Sequence, residues 1–327
     1  MQTHTTLTRF QSSESWSILS DIERSIKAKV EAIGIPLKNW DVKINYGIKT
    51  GFNDAFIIDS VKRKEILDAC QSDEERNRTA DIIRPILRGR DIKRYGYEWA
   101  NMYLISTFPA RHYDIEKYPA VKDYLLSFAY ESLIEDGYDW IANNYLAEYC
   151  QKKLEQTGQD IVINGKYIVD QQGHKDKSRK KTFNKWFETQ DSISYWDEFS
   201  RPKIIWKRVG SIIRFSYDEE GVLGLDSTCF ATGKDISYLC CILNSSMGHY
   251  LLKDAPRTGT GDLLISVQAV EPLKVPRING GEERFDEIVK RAIAGTSNEL
   301  DNEIDNLIFD LYGLSADERE FIVSNFR

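Results

Sequence analysis

The chain has 327 residues, 41% hydrophobic and 29% charged, with a formal net charge of −7, the make-up of an ordinary globular protein with room for one large or two medium domains. No apolar run approaches the roughly 18–20 residues that span a bilayer, and the opening MQTHTTLTRF has no signal-peptide core, so a cytoplasmic protein without a membrane partner is expected. Five cysteines form no C-x-x-C pair and four histidines show no zinc spacing, which predicts reduced, buried thiols and no structural metal.

Trp16, Leu19, Ile22, Ile26, Val30 and Ile33 recur at steps of three and four and predict a helix over 15–33, stopped by Gly34 and Pro36. From Trp40, DVKINYGIKTGFNDAFIID alternates and carries Gly47 and Gly51, which predicts a strand, a turn and a second strand. A short helix over 73–83 leads into Pro85, YLIST (103–107) reads as a strand, and 118–126 reads as a short helix. In the weakly periodic stretch 127–190, VINGKYIVD carries a hairpin signal at Asn164 and Gly165, and QQGHKDKSRKK reads as a loop. Strands broken at Gly210 and at a DEEG turn fill 203–232, helical spacing returns over 237–252, and the glycine-rich RTGTGD (257–262) follows. Residues 282–327 hold 12 acids and 5 bases and predict helices over 285–293 and 300–311, with Ser315 and Glu318 as a capping box for a last one. The sum is a mixed α/β (α+β) fold: an N-terminal helical segment (1–35), a body of strands and helices (36–278) and an acidic helical segment (279–327).

The net charge hides a segregation. Segments 84–94, 172–186 and 201–214 hold 16 of the 44 basic residues and 2 of the 51 acids, a local +14 that leaves −21 on the rest. Phosphate neutralisation follows local patches rather than net charge, and each segment lies near aromatics. Solvated surface faces are the alternative explanation.

Catalytic signatures are missing from the sequence. There is no [NDS]-P-P-[YF] tetrapeptide, no G-x-G-x-x-G, no P-loop spacing in YGIKTGFN, no G-x-S-x-G and no E-x-K. No catalytic residue, cofactor site or metal site is therefore assigned to this chain.

Four blocks in order, NWDVKINYGIKTGFNDAFIID, RPILRGRDIKRY, KWFETQDSISYWDEFSRPKIIW and LDSTCFATGKDISYLCCILNSSMGHYLL, resemble the TaqI-type C-terminal specificity domain, as does the ending NEIDNLIFDLYGLSADERE. The resemblance covers most of residues 14–320. It implies the target-recognition module of a type II adenine-N6 DNA methyltransferase or restriction-modification enzyme. Its partners would be double-stranded DNA and a methyltransferase domain, absent here, that binds S-adenosylmethionine. A non-catalytic protein-interaction scaffold docking through its acidic helices is the second reading.

Under the first reading, Arg88, Arg90, Lys93 and Arg94 neutralise backbone phosphates and Gly89 lets the chain approach DNA closely, unless Asp91 pairs with an arginine as an internal strut. Lys175, Lys177, Arg179, Lys180, Lys181 and Lys185 lie in a loop that would order on phosphates or remain merely solvated. Lys207 and Arg208 come from the third basic segment. In GIKTGFN, Lys49, Thr50 and Asn53 occupy a turn where the Asn would read an adenine edge or stabilise the turn. Arg257, Thr258 and Thr260 offer further donors, or a plain connection. Trp186, Trp196 and Trp206 read as core rather than stacking platforms.

Overall fold

The strand Lys203–Lys207 organises the molecule, which is described here from a computed structural model covering residues 19–126, 183–278 and 280–326, together with residue 155 and the backbone of short strands at 129–130, 161–163, 168–170 and 178–179. It runs antiparallel to Phe215–Asp218 on one side and Thr228–Gly233 on the other, and Val42–Tyr46 closes the far edge of this four-stranded sheet. Successive side chains on a strand point to opposite faces. Ile204 and Trp206 accordingly enter one core and Ile205 a second, just as Cys229 and Ala231 part from Phe230. A sheet buried on both faces leaves no room for an unpaired charge. Lys203, fully buried, donates to the Phe199 carbonyl at 2.7 Å and pairs with Asp218, which also accepts from the Tyr97 hydroxyl at 2.9 Å.

The first core is covered by Ile236–Asn244, whose nine residues are all buried, and by Glu282–Ala294 and Asn298–Leu311. The second lies under another four-stranded sheet, in the order Leu223–Gly224, Ile83–Leu87, Met102–Ile105 and Ile57–Asp59, where only the first pair is parallel. Ser60–Asp68, Asp73–Ile82 and Pro119–Leu126 pack on it through Ile66, Ile82, Val121 and Leu125. The fold is the mixed α/β one expected.

The predicted first helix is seen over Asp21–Ile33, with Ser20 and Glu23 forming a capping box; residues 15–18 lie outside the described ones. The spacing over 237–252 splits into Ile236–Asn244 and Ser246–Leu251, because extended Ser245 caps the second helix through Gly248 N–H at 3.1 Å. The strands predicted within 41–59 form as Val42–Tyr46 and Ile57–Asp59 but join different sheets. Ser60–Asp68 is a helix that periodicity does not reveal, since only Ile66 and Leu67 are buried in it and Asp59 starts it as an N-cap. Ile161–Ile163 pairs antiparallel with Ile168–Asp170 as the hairpin signal requires, although the turn itself lies outside the described residues. Within the expected loop, Ser178–Arg179 is a strand paired with Ala129–Tyr130.

The acidic C-terminal segment is built into the first core. Ser315 and Glu318 cap Ala316–Phe326 as predicted, and the Glu318 carboxylate also accepts from Ser25 Oγ and Lys29 Nζ, both at 2.6 Å, fastening the last helix to the first. Among the described residues no helix is long and apolar enough to cross a membrane, and no cluster of His, Cys, Asp and Glu is placed to hold a metal.

Candidate nucleic-acid interface

The basic stretch 84–94 leaves the second sheet at Leu87 and enters a tight turn, Gly89–Asp91. Asp91 is buried and takes three hydrogen bonds from Arg88: from the backbone N–H at 2.8 Å, from Nε at 3.0 Å and from a terminal nitrogen at 2.8 Å. Burial works to raise the Asp91 pKa, but the Arg88 side chain and amide outweigh it and hold the carboxyl below its ordinary value. Arg88 is thus the internal strut that Asp91 allowed for. Arg94 is turned inward as well. It meets Asp301 of the C-terminal helices at 2.7 Å, donates to the Asn244 carbonyl at 2.9 Å and lies over the Tyr95 ring. Lys93 pairs with Glu98 at 3.0 Å. Arg90, exposed at the turn, has no ion-pair partner among the described residues, and neither has the half-buried Arg84 at the start of the stretch.

Gly89 serves a contact within the protein. A Cβ there would stand 2.8 Å from Lys207 Cγ, so the glycine lets the aliphatic stem of Lys207 cross the turn. The exposed Lys207 side chain thus runs over the residue next to Arg90 and on past Gly210, again without a carboxylate in ion-pair reach among the described residues.

The residues 225–228 tie several predicted segments together. Gly89 N–H donates to Ser227 Oγ at 3.0 Å, Arg208 N–H to the Ser227 carbonyl at 2.9 Å, and Asp226 N–H to the Ile48 carbonyl at 2.9 Å. Ile265 N–H donates to Arg208 O at 2.8 Å, and Val209–Gly210 pairs with Leu263–Leu264, which brings the 257–262 turn alongside. The first and third basic segments, the Lys49 turn and the RTGTGD turn are therefore neighbours in space.

Beside this junction opens a cleft of about 590 Å³. Lys49 and Arg208 supply cations to its wall, Asp191 and Asp226 supply carboxylates, and Gln190 an amide. Lys49 N–H donates to Asp191 Oδ2 at 3.1 Å and Gln190 N–H to the Thr50 carbonyl at 3.0 Å, so the 190–191 segment is pinned along the turn. Burial, reinforced by Asp226, pushes the Asp191 carboxyl up, against the Lys49 amide and charge. Arg208 Nε is buried without a hydrogen-bond partner among the described residues.

The remaining candidates divide. Thr50 is buried and donates to Asn53 Oδ1 at 2.5 Å while accepting from Phe52 N–H at 3.2 Å, which makes it a turn-forming residue; Asn53 is exposed at the start of a short helix. Arg257 donates to the Gly261 carbonyl at 2.9 Å, and the Thr258 and Thr260 hydroxyls bond each other at 2.8 Å, closing their own turn. Lys185 is exposed near the Phe187 ring, whereas Lys175, Lys177, Lys180, Lys181 and the Arg179 side chain lie outside the described residues. Trp186 and Trp206 are buried, and half-buried Trp196 lies under Arg111. Sequence reasoning missed Gln190, Asp191 and Asp226, because single polar residues between apolar runs carry no local signal.

The TaqI-like C-terminal specificity domain model matches residues 84–265, more than half of the chain. No curated protein sequence matches it. Among solved structures, the type IIL restriction-modification enzyme MmeI, determined in complex with DNA, superposes with a TM-score of 0.51 at 10% identity, covering 90% of this chain and 36% of that one. The type IIG restriction endonuclease BpuSI superposes with a TM-score of 0.48 at 14% identity, covering 94% and 33%. The chain thus spans about a third of the length of either enzyme.

Proposed function

Because the chain belongs to the family of TaqI-like C-terminal specificity domains, we propose that it is the DNA-recognition module of a restriction-modification system of the adenine-N6 type, and that it places a methyltransferase domain on its target. The observation that carries this reading is the junction at 225–228, where Arg90 and Lys207 stand exposed without carboxylate partners beside a cleft of mixed polarity. The two cations suit backbone phosphates. The cleft suits base edges: carboxylates repel phosphate but accept from a cytosine amino group, an amide pairs with adenine, and Lys49 and Arg208 donate to guanine. S-adenosylmethionine and the chemistry belong to the methyltransferase domain, and the setting is cytoplasmic. The scaffold reading needs the acidic helices free, whereas their apolar stripes are spent on the first core.

Selection of bound sites from a random duplex pool tests the proposal. The chain should enrich one motif, and Gln190→Ala or Asp226→Asn should relax one position of it by about 1–3 kcal/mol while the salt dependence stays unchanged. Duplex binding without any enriched motif would remove the recognition role.

A further inference from the structure

Three arginines without carboxylate partners converge elsewhere in the molecule. Arg78, Arg84 and Arg111 line a cleft of about 290 Å³ on the second sheet, together with Tyr113 and Trp196. Arg84 is half-buried on the strand Ile83–Leu87 and donates to the Gly221 carbonyl at 2.6 Å. Arg111 is held 3.7 Å from the centre of the Trp196 ring and 5.5 Å from that of Tyr113, whose hydroxyl its side chain also meets, which fixes its plane. Arg78, exposed on Asp73–Ile82, donates to the Lys117 carbonyl at 3.3 Å.

Among the described residues no carboxylate stands within ion-pair distance of any of the three, although Arg88, Arg94, Arg201, Arg291 and Arg319 each have one. Asp81 also lines the cleft, so the wall carries two positive charges in excess. Burial pulls the Arg84 pKa down, and the Arg111 charge adds to that against the opposing pull of Tyr113 and of the more distant Asp218 carboxylate, yet a guanidinium does not give up its proton in a protein. A concave wall with an excess of permanent positive charge, partly withdrawn from water, is the arrangement that a multiply charged anion stabilises.

We propose that the Arg78, Arg84 and Arg111 cleft binds a phosphate group. Planar guanidinium forks match pairs of phosphate oxygens, and three of them from different elements surround one such group. Two sources share this chemistry, a backbone phosphate of duplex DNA and a free phosphate compound. Tyr195 lines the recognition cleft and its chain neighbour Trp196 lines this one, so both lie along the same segment. The anion site itself does not rest on the recognition reading.

Calorimetric titration of the full chain with sodium phosphate, against sodium chloride of matched ionic strength, provides the test. One saturable site is expected, and Arg78→Gln and Arg111→Gln should each weaken it by at least about tenfold. Lys38→Gln, which removes an exposed cation elsewhere, should leave it unchanged. Folding is not in question for Arg78→Gln, because that side chain is exposed. If a duplex displaces the phosphate, the occupant is a backbone phosphate; if both bind together, it is a free phosphate compound, and either result supports the site. No saturable uptake beyond chloride, or equal affinity in all four chains, overturns it. Duplex binding without phosphate uptake would sink the anion site and leave the recognition module standing, while phosphate uptake without duplex binding would do the reverse.

Discussion

The helical side of the molecule and the junction at 225–228 treat positive charge in opposite ways. On the helical side basic groups meet carboxylates: Lys29 meets Glu318, Arg94 meets Asp301, Arg291 meets Glu303 and Arg319 meets Asp310. At the junction Arg90, Lys207 and Arg208 have no such partner among the described residues, and Lys49 bonds Asp191 through its backbone amide rather than as an ion pair. Both sides draw on the same basic segments, since Arg90 and Arg94 are four residues apart. What separates a strut from a ligand contact is therefore whether the fold supplies a counter-charge.

That difference can be broken most forcefully at Lys203, a member of the third basic segment that the fold has buried completely. Lys203→Ala leaves Asp218 charged and enclosed, which should cost about 3–5 kcal/mol. Denaturant unfolding measures it, and a loss below about 1 kcal/mol would mean that the pair is solvated after all. Arg94→Ala comes next. It strips the partners from Asp301 and the Asn244 carbonyl and should cost roughly 1.5–3 kcal/mol, with the salt dependence of DNA binding unaltered. A lower salt slope in that variant would move Arg94 to the interface side.

These two residues also show how far the sequence could be read. The helices of the first core were legible because Phe285, Ile288, Val289 and Ala292, or Leu300, Ile304 and Ile308, repeat at helical spacing and end up buried. The cap at Ser315 and Glu318 was legible because it is local. Charge roles were not. Asp301, which decides Arg94, lies 207 residues further along the chain, and Lys207 crosses Gly89 only through strand pairing of distant segments. The cleft was half legible: Lys49 and Arg208 stood in basic or glycine-bearing motifs, whereas Gln190, Asp191 and Asp226 become a group only when two distant loops fold together.

The link between the first and last helices sharpens the comparison through pH. Burial raises the Glu318 pKa, but the bonds from Lys29, Ser25 and the Ser315 amide lower it further, from an ordinary 4.5 to about 2. A carboxyl depressed in the folded state stabilises the fold above its unfolded pKa and loses that contribution as pH falls. Stability should therefore decline between about pH 4.5 and 2 in wild type, and more gently in Lys29→Met, followed by thermal melts across that window.

The smallest expected change in stability belongs to the residues proposed to matter most for DNA. Arg90 and Lys207 are exposed and form no ion pair among the described residues, and Arg90 is the least of the influences on Asp91, so Arg90→Ala with Lys207→Ala should leave the unfolding free energy within about 0.5 kcal/mol of wild type, apart from packing lost where the Lys207 stem crosses Gly89. Binding should change instead. Each phosphate contact on B-DNA contributes about 0.9 to the slope of log K against log salt, so the double variant should flatten that slope by up to about two units, equally for specific and random duplexes. A double variant that melts early and keeps its slope would place Arg90 and Lys207 among the struts, with Arg88 and Arg94. One that keeps its melting temperature and loses slope makes the outer edge of this turn a phosphate contact, and explains why an acidic chain concentrates charge there.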